Sequence, residues 1–107
     1  MPQYLYQLSY TSESIAAMVK EPQDRLETAA RPVLEAIGGK LLGGGFAFGE
    51  YDVVLVAEVP DQSAAVALAM AVQASGAFTK LVLLEQLEIG PILATAQKAM
   101  QVYKPAG

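Results

Sequence analysis

The spacing of apolar residues changes along this chain in a definite order, and that order limits the folds open to it. Residues 3–10 alternate in polarity, as a strand requires. A helical run, two further strand-like runs, a second helical run and a fourth strand-like run come after them. The sequence therefore predicts an α+β fold with the ferredoxin-like βαββαβ order, in which two helices cover one face of an antiparallel sheet.

Proline and capping residues mark where the predicted helices begin and end. Thr11 or Ser12 is expected to cap the first helical turn, and Pro22 interrupts the helix that this cap begins. Pro32 lies inside the next helical run, where it is expected to kink or restart the helix. Asp61 is the expected N-cap of the second main helix. The first helical region is thus predicted to consist of separate pieces.

Glycines interrupt the second predicted strand. Gly43, Gly44 and Gly45 lie in its middle, which predicts a bulge or a close approach between backbones. Gly49 and Glu50 are expected to form the turn into the third strand. We therefore expect a hairpin with an irregular second strand.

The third predicted strand, residues 51–59, is apolar on both faces at its centre. Two helices cover only one of these faces, so a second copy of the sheet is expected to cover the other. The sequence therefore predicts a homodimer with a shared interior, a dimeric α/β-barrel. The chain is expected to be one domain over residues 1–107, with its core at about 2–88 and an added C-terminal helix at about 91–103.

Composition excludes several kinds of function. The net charge is −4, with only seven scattered Lys and Arg residues, which argues against a nucleic-acid partner. The chain has no cysteine and no histidine, so thiolate chemistry and the usual zinc and haem ligands are absent, and we expect no cofactor. No signal peptide or bilayer-spanning run is recognisable, so a cytoplasmic protein without a membrane partner is expected.

Several short stretches together resemble one protein family. They are "GEYD" at residues 49–52, the "VPD" after the third strand, "YLYQLSYT" near the start, "VKEPQDR" and "EAIGGKL". Over roughly residues 2–88 the chain resembles the GYD-domain family of small proteins. The resemblance implies a dimeric α/β-barrel of the ferredoxin-like superfamily and implies no established activity. The chain departs from the family pattern at Gly44 and Gly45 and at Phe78-Thr79-Lys80.

Tyr51 and Asp52 are the first candidate ligand-binding residues. Strand alternation places neighbouring side chains on opposite faces of a sheet, so these two are not expected to act on one atom. One interpretation is structural: Asp52 accepts backbone N–H bonds at the turn, and Tyr51 packs at a wet edge. The other places Tyr51 at the mouth of the barrel, where it holds a ligand oxygen.

A row of tyrosines on the first strand is the second candidate. Tyr4, Tyr6 and Tyr10 share one face with Leu8. If that face lines the barrel, the phenols suit an aromatic or carbonyl ligand. If it faces the helices, they are core residues with satisfied hydroxyls.

Four charged residues complete the candidates. Glu85 and Lys80 are expected on opposite faces of the last strand. One alternative is that either of them enters the barrel interior, where burial would raise the pKa of the glutamate and make it a possible base; the other is an exposed edge. Lys20 and Arg25 flank Pro22 and either clamp an anion or remain solvated on the surface.

The leading functional hypothesis is an oligomeric barrel that binds a small apolar or carbonyl-bearing ligand. The alternatives are a structural or assembly protein without a ligand, and a cofactor-free enzyme resembling an isomerase or monooxygenase. The expected partners are a second copy of the chain and a small molecule.

Overall fold

The predicted order of strands and helices is confirmed in a computed structural model that describes residues 1–106. The elements are β1 (Gln3–Tyr10), α1 (Ser12–Lys20), a π-helical segment (Leu26–Ala30), α2 (Arg31–Ala36), β2 (Lys40–Phe46), β3 (Val53–Glu58), α3 (Gln62–Ala74), β4 (Phe78–Glu85) and α4 (Ile89–Val102).

The four strands form one antiparallel sheet in the order β2-β3-β1-β4. Tyr6 pairs with Leu55 on β3 and with Leu83 on β4, so these three side chains share a face. The helices cover that face, and the core between the two layers includes Leu34 and Val59. This topology confirms the ferredoxin-like fold.

Local signals set the helix boundaries as predicted. Thr11 caps α1, and its Oγ1 accepts a hydrogen bond from the Ser14 backbone N–H at 3.2 Å. Asp61 caps α3 through Oδ1, which accepts from the Ala64 N–H at 2.8 Å. Pro32 lies in the first turn of α2, where the π-helical segment gives way to α-helix, so the predicted restart is confirmed.

Two predicted boundaries were wrong by two residues. β3 begins at Val53, and the backbone of Asp52 just before it still bonds to both neighbouring segments: its N–H donates to the Leu8 carbonyl, and its carbonyl accepts from the Ala47 N–H, each at 2.8 Å. Helix α4 begins at Ile89, two residues before Pro91. Pro91 is tolerated there because a proline in the first turn of a helix removes no intrahelical hydrogen bond.

The glycine run produces the predicted irregularity in β2. The pairing of β2 with β3 shifts between Leu41 and Gly43. Gly44 follows at φ +149°, and a Cβ built there would lie against the Val54 carbonyl oxygen and 2.8 Å from Leu55 Cα. The close backbone approach is therefore at Gly44.

The second face of the sheet and the whole of α4 remain open in this structure. Leu5, Val54, Val56 and Val82 on that face are only partly buried, and Leu84 is exposed. All α4 residues are exposed, and the radius of gyration is 17.7 Å, against about 13 Å for a compact chain of this length. Helix α4 therefore extends away from the body. None of the helices in residues 1–106 has both the length and the apolar character needed to cross a membrane.

Candidate functional site

A cavity of about 540 Å³ lies between the helix-covered face of the sheet and the helices. Its floor includes Tyr6, Leu8 and Tyr10 of β1, and its walls come from α1, residues 23–34 and α3. Small-molecule sites in proteins span about 300–1,000 Å³ and are mostly apolar with a few polar groups. The volume and the lining both match that description.

Alanine explains why this space is left open. Ala17, Ala29, Ala30 and Ala71 line the cavity from the helical side. Because an alanine side chain ends at Cβ, helices at ordinary distance from the sheet leave volume that larger residues would fill. The alanine-rich helices visible in the sequence are thus the source of the cavity.

The cavity lining contains no aspartate or glutamate, and its one charged side chain is that of Arg25. Arg25 Nη1 donates to Gln23 Oε1 at 3.4 Å. The ion pairs within residues 1–106 are Arg31–Glu27 and Lys80–Glu50, so Arg25 has no carboxylate partner in the described chain. Arg25 is partly buried as a residue, and its guanidinium retains N–H donors that no group of the described chain accepts.

Tyr10 lines the same cavity as Arg25 and is held firmly in place. Its ring stacks on Phe78 with ring centroids 4.8 Å apart, and its backbone N–H donates to Asp52 Oδ2 at 3.0 Å. Burial raises the pKa of Tyr10, and the positive charge of Arg25 acts in the opposite direction more weakly. The phenol therefore stays neutral at ordinary pH and can donate a hydrogen bond.

The tyrosine row faces the helices, which settles the two alternatives left open by the sequence. The Tyr6 hydroxyl donates to the Ala65 carbonyl at 2.8 Å, and burial raises the pKa of Tyr6 to about 12. The Tyr4 hydroxyl donates to Glu85 Oε1 at 2.9 Å, and burial followed by that hydrogen bond raises the pKa of Tyr4. Both residues are core residues with satisfied hydroxyls.

Tyr51, Asp52 and Lys80 form a separate cluster at the end of the sheet. Lys80 Nζ lies 3.0 Å from Glu50 Oε1 and 5.0 Å from the centroid of the Tyr51 ring. The hydrogen bond to Glu50 raises the pKa of Lys80. The Asp52 side chain accepts a backbone N–H bond, and the donor is Tyr10 at the end of β1 instead of a residue of the turn before β3. The cluster ties the turn before β3 to β1 and β4.

The structure does not bring the six predicted ligand-binding residues together. Tyr4 pairs with Glu85 near the start of β1, whereas Ser9 near its end pairs with Lys80. Five residues of strand separate these positions by about 17 Å. Within residues 1–106, no group of three or more aspartate or glutamate side chains could hold a metal ion.

Ser14 and Met18 of α1, which the sequence did not single out, also line the cavity. Arg25 lines it too, although the sequence suggested this residue only as an anion clamp beside Lys20. Lys20 does not line the cavity. The sequence signal that could have placed Arg25 in the cavity lining is its position after the helix-breaking Pro22, because such a break can turn a side chain inward.

Comparison with known families is consistent with this fold. The GYD domain matches residues 4–89, a range that holds almost all of the sheet and the cavity lining and stops at the first residue of α4. A search of the curated proteins finds no match to this chain.

Proposed function

This chain belongs to the GYD domain family, and we propose that it binds a small, largely apolar molecule in the cavity between sheet and helices. The observation that carries the proposal is the cavity itself, with its volume of about 540 Å³, its mainly apolar lining and its few polar groups. The sequence had suggested a ligand between two sheets. The proposal instead puts the ligand on the face of the sheet that the helices cover, where the tyrosine row lies.

Binding suits this site better than proton-transfer catalysis does. A cofactor-free enzyme needs a base near the substrate, and the cavity lining has no carboxylate. The two phenols in the lining, Tyr6 and Tyr10, have raised pKa values and are therefore protonated. Glu85, the carboxylate considered as a base, does not line the cavity and accepts a hydrogen bond from Tyr4, and Asp52 likewise lies outside the lining.

Filling the cavity should abolish ligand binding. Ala71 of α3 lines the cavity, and Ala71→Phe would place a ring in the space. We expect the neutral fluorophore N-phenylnaphthylamine to bind the native chain with enhanced emission, and the variant to bind at least roughly tenfold more weakly because the apolar volume is occupied. Fluorescence titration measures this.

Ala74→Phe supplies the matched control, because Ala74 lies on the same helix and is exposed, as Ala71 is, but does not line the cavity. Its affinity for the fluorophore should equal that of the native chain. Equal losses in both variants, or no binding by the native chain, would contradict the proposal.

A second proposal is self-association through the open face of the sheet. Five apolar side chains on that face keep part of their surface exposed (Leu5, Val54, Val56, Val82 and Leu84). A second copy of the same face would bury them in an isologous contact, as the expected dimeric barrel requires. The cavity lies on the other side of the sheet, so dimer formation and ligand binding do not compete.

Helix α4 favours self-association as well. Its apolar residues Ile89, Ile92, Leu93 and Met100 are exposed and recur at helical spacing. All eleven acidic residues lie at or before Glu88, whereas the chain after it carries two lysines and no acid. The helix is therefore complementary in charge to the body of a second copy.

A charge in the middle of the open face should separate the copies. We expect Val56→Lys to convert a dimer to a monomer in sedimentation velocity, because a dimer would have to bury the lysine ammonium without a partner. Val66→Lys on the outer face of α3, where Val66 is 43% exposed, should leave the dimer intact. A native chain that sediments as a monomer contradicts the proposal.

A further inference from the structure

We propose that the ligand of this cavity is an apolar molecule that carries a carboxylate, and that Arg25 and the Tyr10 hydroxyl bind its oxygen atoms. The inference rests on the proposed function and adds the chemical class of the ligand. Its basis is one cation without a carboxylate partner and one fixed phenol, which line the same mainly apolar cavity.

The distribution of charge is the first argument. The protein has eleven acidic and seven basic residues, yet no acidic side chain lines the cavity. Arg25 is the one charged group in the lining, so the local charge is opposite in sign to the net charge of −4. A cleft that has apolar walls and charge of one sign focuses the field of that charge on its interior. The cavity therefore favours anions although the whole protein does not.

The contacts of two arginines give the second argument. Arg31 forms a two-point contact with Glu27, through Nε at 2.8 Å and Nη2 at 3.1 Å. Arg25, six positions earlier, has a single contact of 3.4 Å to Gln23. A guanidinium has five N–H donors in a planar fork that matches a carboxylate. Arg25 therefore retains the guanidinium N–H donors that Arg31 uses to bind the carboxylate of Glu27.

Tyr10 supplies the third argument. Stacking on Phe78 and the bond from its backbone N–H to Asp52 fix the position of the ring. Tyr6, Ser14 and Ser75 also line the cavity, but their hydroxyls already donate to the carbonyls of Ala65, Ala77 and Val72, respectively. The Tyr10 phenol is therefore the lining hydroxyl that can add a neutral donor to the charged fork.

Three probes of equal chain length test the head group. Decanoate, decanol and decylamine are used to displace N-phenylnaphthylamine from the full chain. We expect decanoate to displace it at roughly tenfold lower concentration than decanol does, as charge-assisted hydrogen bonds allow, and decylamine to be the weakest. Equal displacement by decanoate and decanol would overturn the inference and leave the proposed function standing. Failure of the fluorophore to bind the native chain would remove the proposed function itself.

Variants then assign the preference to its residues. Arg25→Gln should reduce decanoate affinity roughly tenfold and leave decanol and the fluorophore unchanged, which also shows that the variant is folded. Tyr10→Phe should reduce decanoate affinity by a factor of about 3–5. Arg31→Gln, which removes an equal charge outside the cavity, should keep the native preference. A loss in Arg31→Gln as large as in Arg25→Gln would attribute the effect to overall charge and overturn the assignment.

Discussion

Gly44→Ala is expected to lower the free energy of unfolding by roughly 2–4 kcal/mol, enough to shift the denaturation midpoint clearly. A Cβ at this position lies against the Val54 carbonyl oxygen and 2.8 Å from Leu55 Cα, both of which are backbone atoms of β3. The backbone at φ +149° is also one that side chains rarely adopt. Relief requires β2 to move away from β3, which disrupts their pairing. Urea unfolding followed by circular dichroism measures the loss.

Gly45→Ala is the control, because a Cβ there meets nothing within 4 Å. We expect it to change stability by no more than about 1 kcal/mol, with stabilisation possible through a less flexible unfolded chain. Similar losses at the two positions would show that general strand flexibility, and not the contact at Gly44, sets the requirement for glycine.

Tyr6→Ala is expected to cost about 3–5 kcal/mol, as for other large aromatic side chains removed from a core. Tyr6 is 2% exposed at the centre of the sheet, and its side chain packs between the sheet and α3. Tyr6→Phe keeps the ring and leaves the Ala65 carbonyl without this donor, at an expected cost of about 1–3 kcal/mol. Tyr103→Ala, at a position that is 71% exposed, should have almost no effect. A loss in Tyr103→Ala comparable to that in Tyr6→Ala contradicts this ranking.

The same phenol makes stability depend on alkaline pH. The pKa of Tyr6 is about 12 in the folded chain and about 10 when unfolded, so the folded state favours the protonated form. Its contribution is fully present below pH 10 and is lost as the pH rises to about 12. We expect the urea midpoint of the native chain to fall across this window, and Tyr6→Phe to fall less steeply. If the urea midpoints of the native chain and of Tyr6→Phe fall equally steeply with pH, Tyr6 is not the cause of the alkaline loss of stability.

Much of the fold could be predicted because its signals are local. Alternation identifies β1, and Thr11 and Asp61 cap α1 and α3 by contacts within three residues. The glycine run predicted a close backbone approach, but only the pairing of β2 with β3 shows that Gly44 is the glycine that requires it.

The candidate site could be predicted only in part. The sequence placed Tyr6 and Tyr10 on one face, and both line the cavity. It gave Arg25 no link to them, because residues 10 and 25 come to line one cavity only after the chain passes through α1 and the break at Pro22. A shared cavity between residues distant in sequence has no local signal.

The sequence by itself determined the order of elements, the breaks between them and membership of the GYD domain family. Only the tertiary structure decided which face of β1 the helices cover, and hence that Tyr4 and Tyr6 are core residues. The physical reason is that alternation along a strand shows which side chains share a face but not what packs against that face. Packing also decided that Arg25 joins Tyr10 at one cavity, because short alanine side chains left space between the layers.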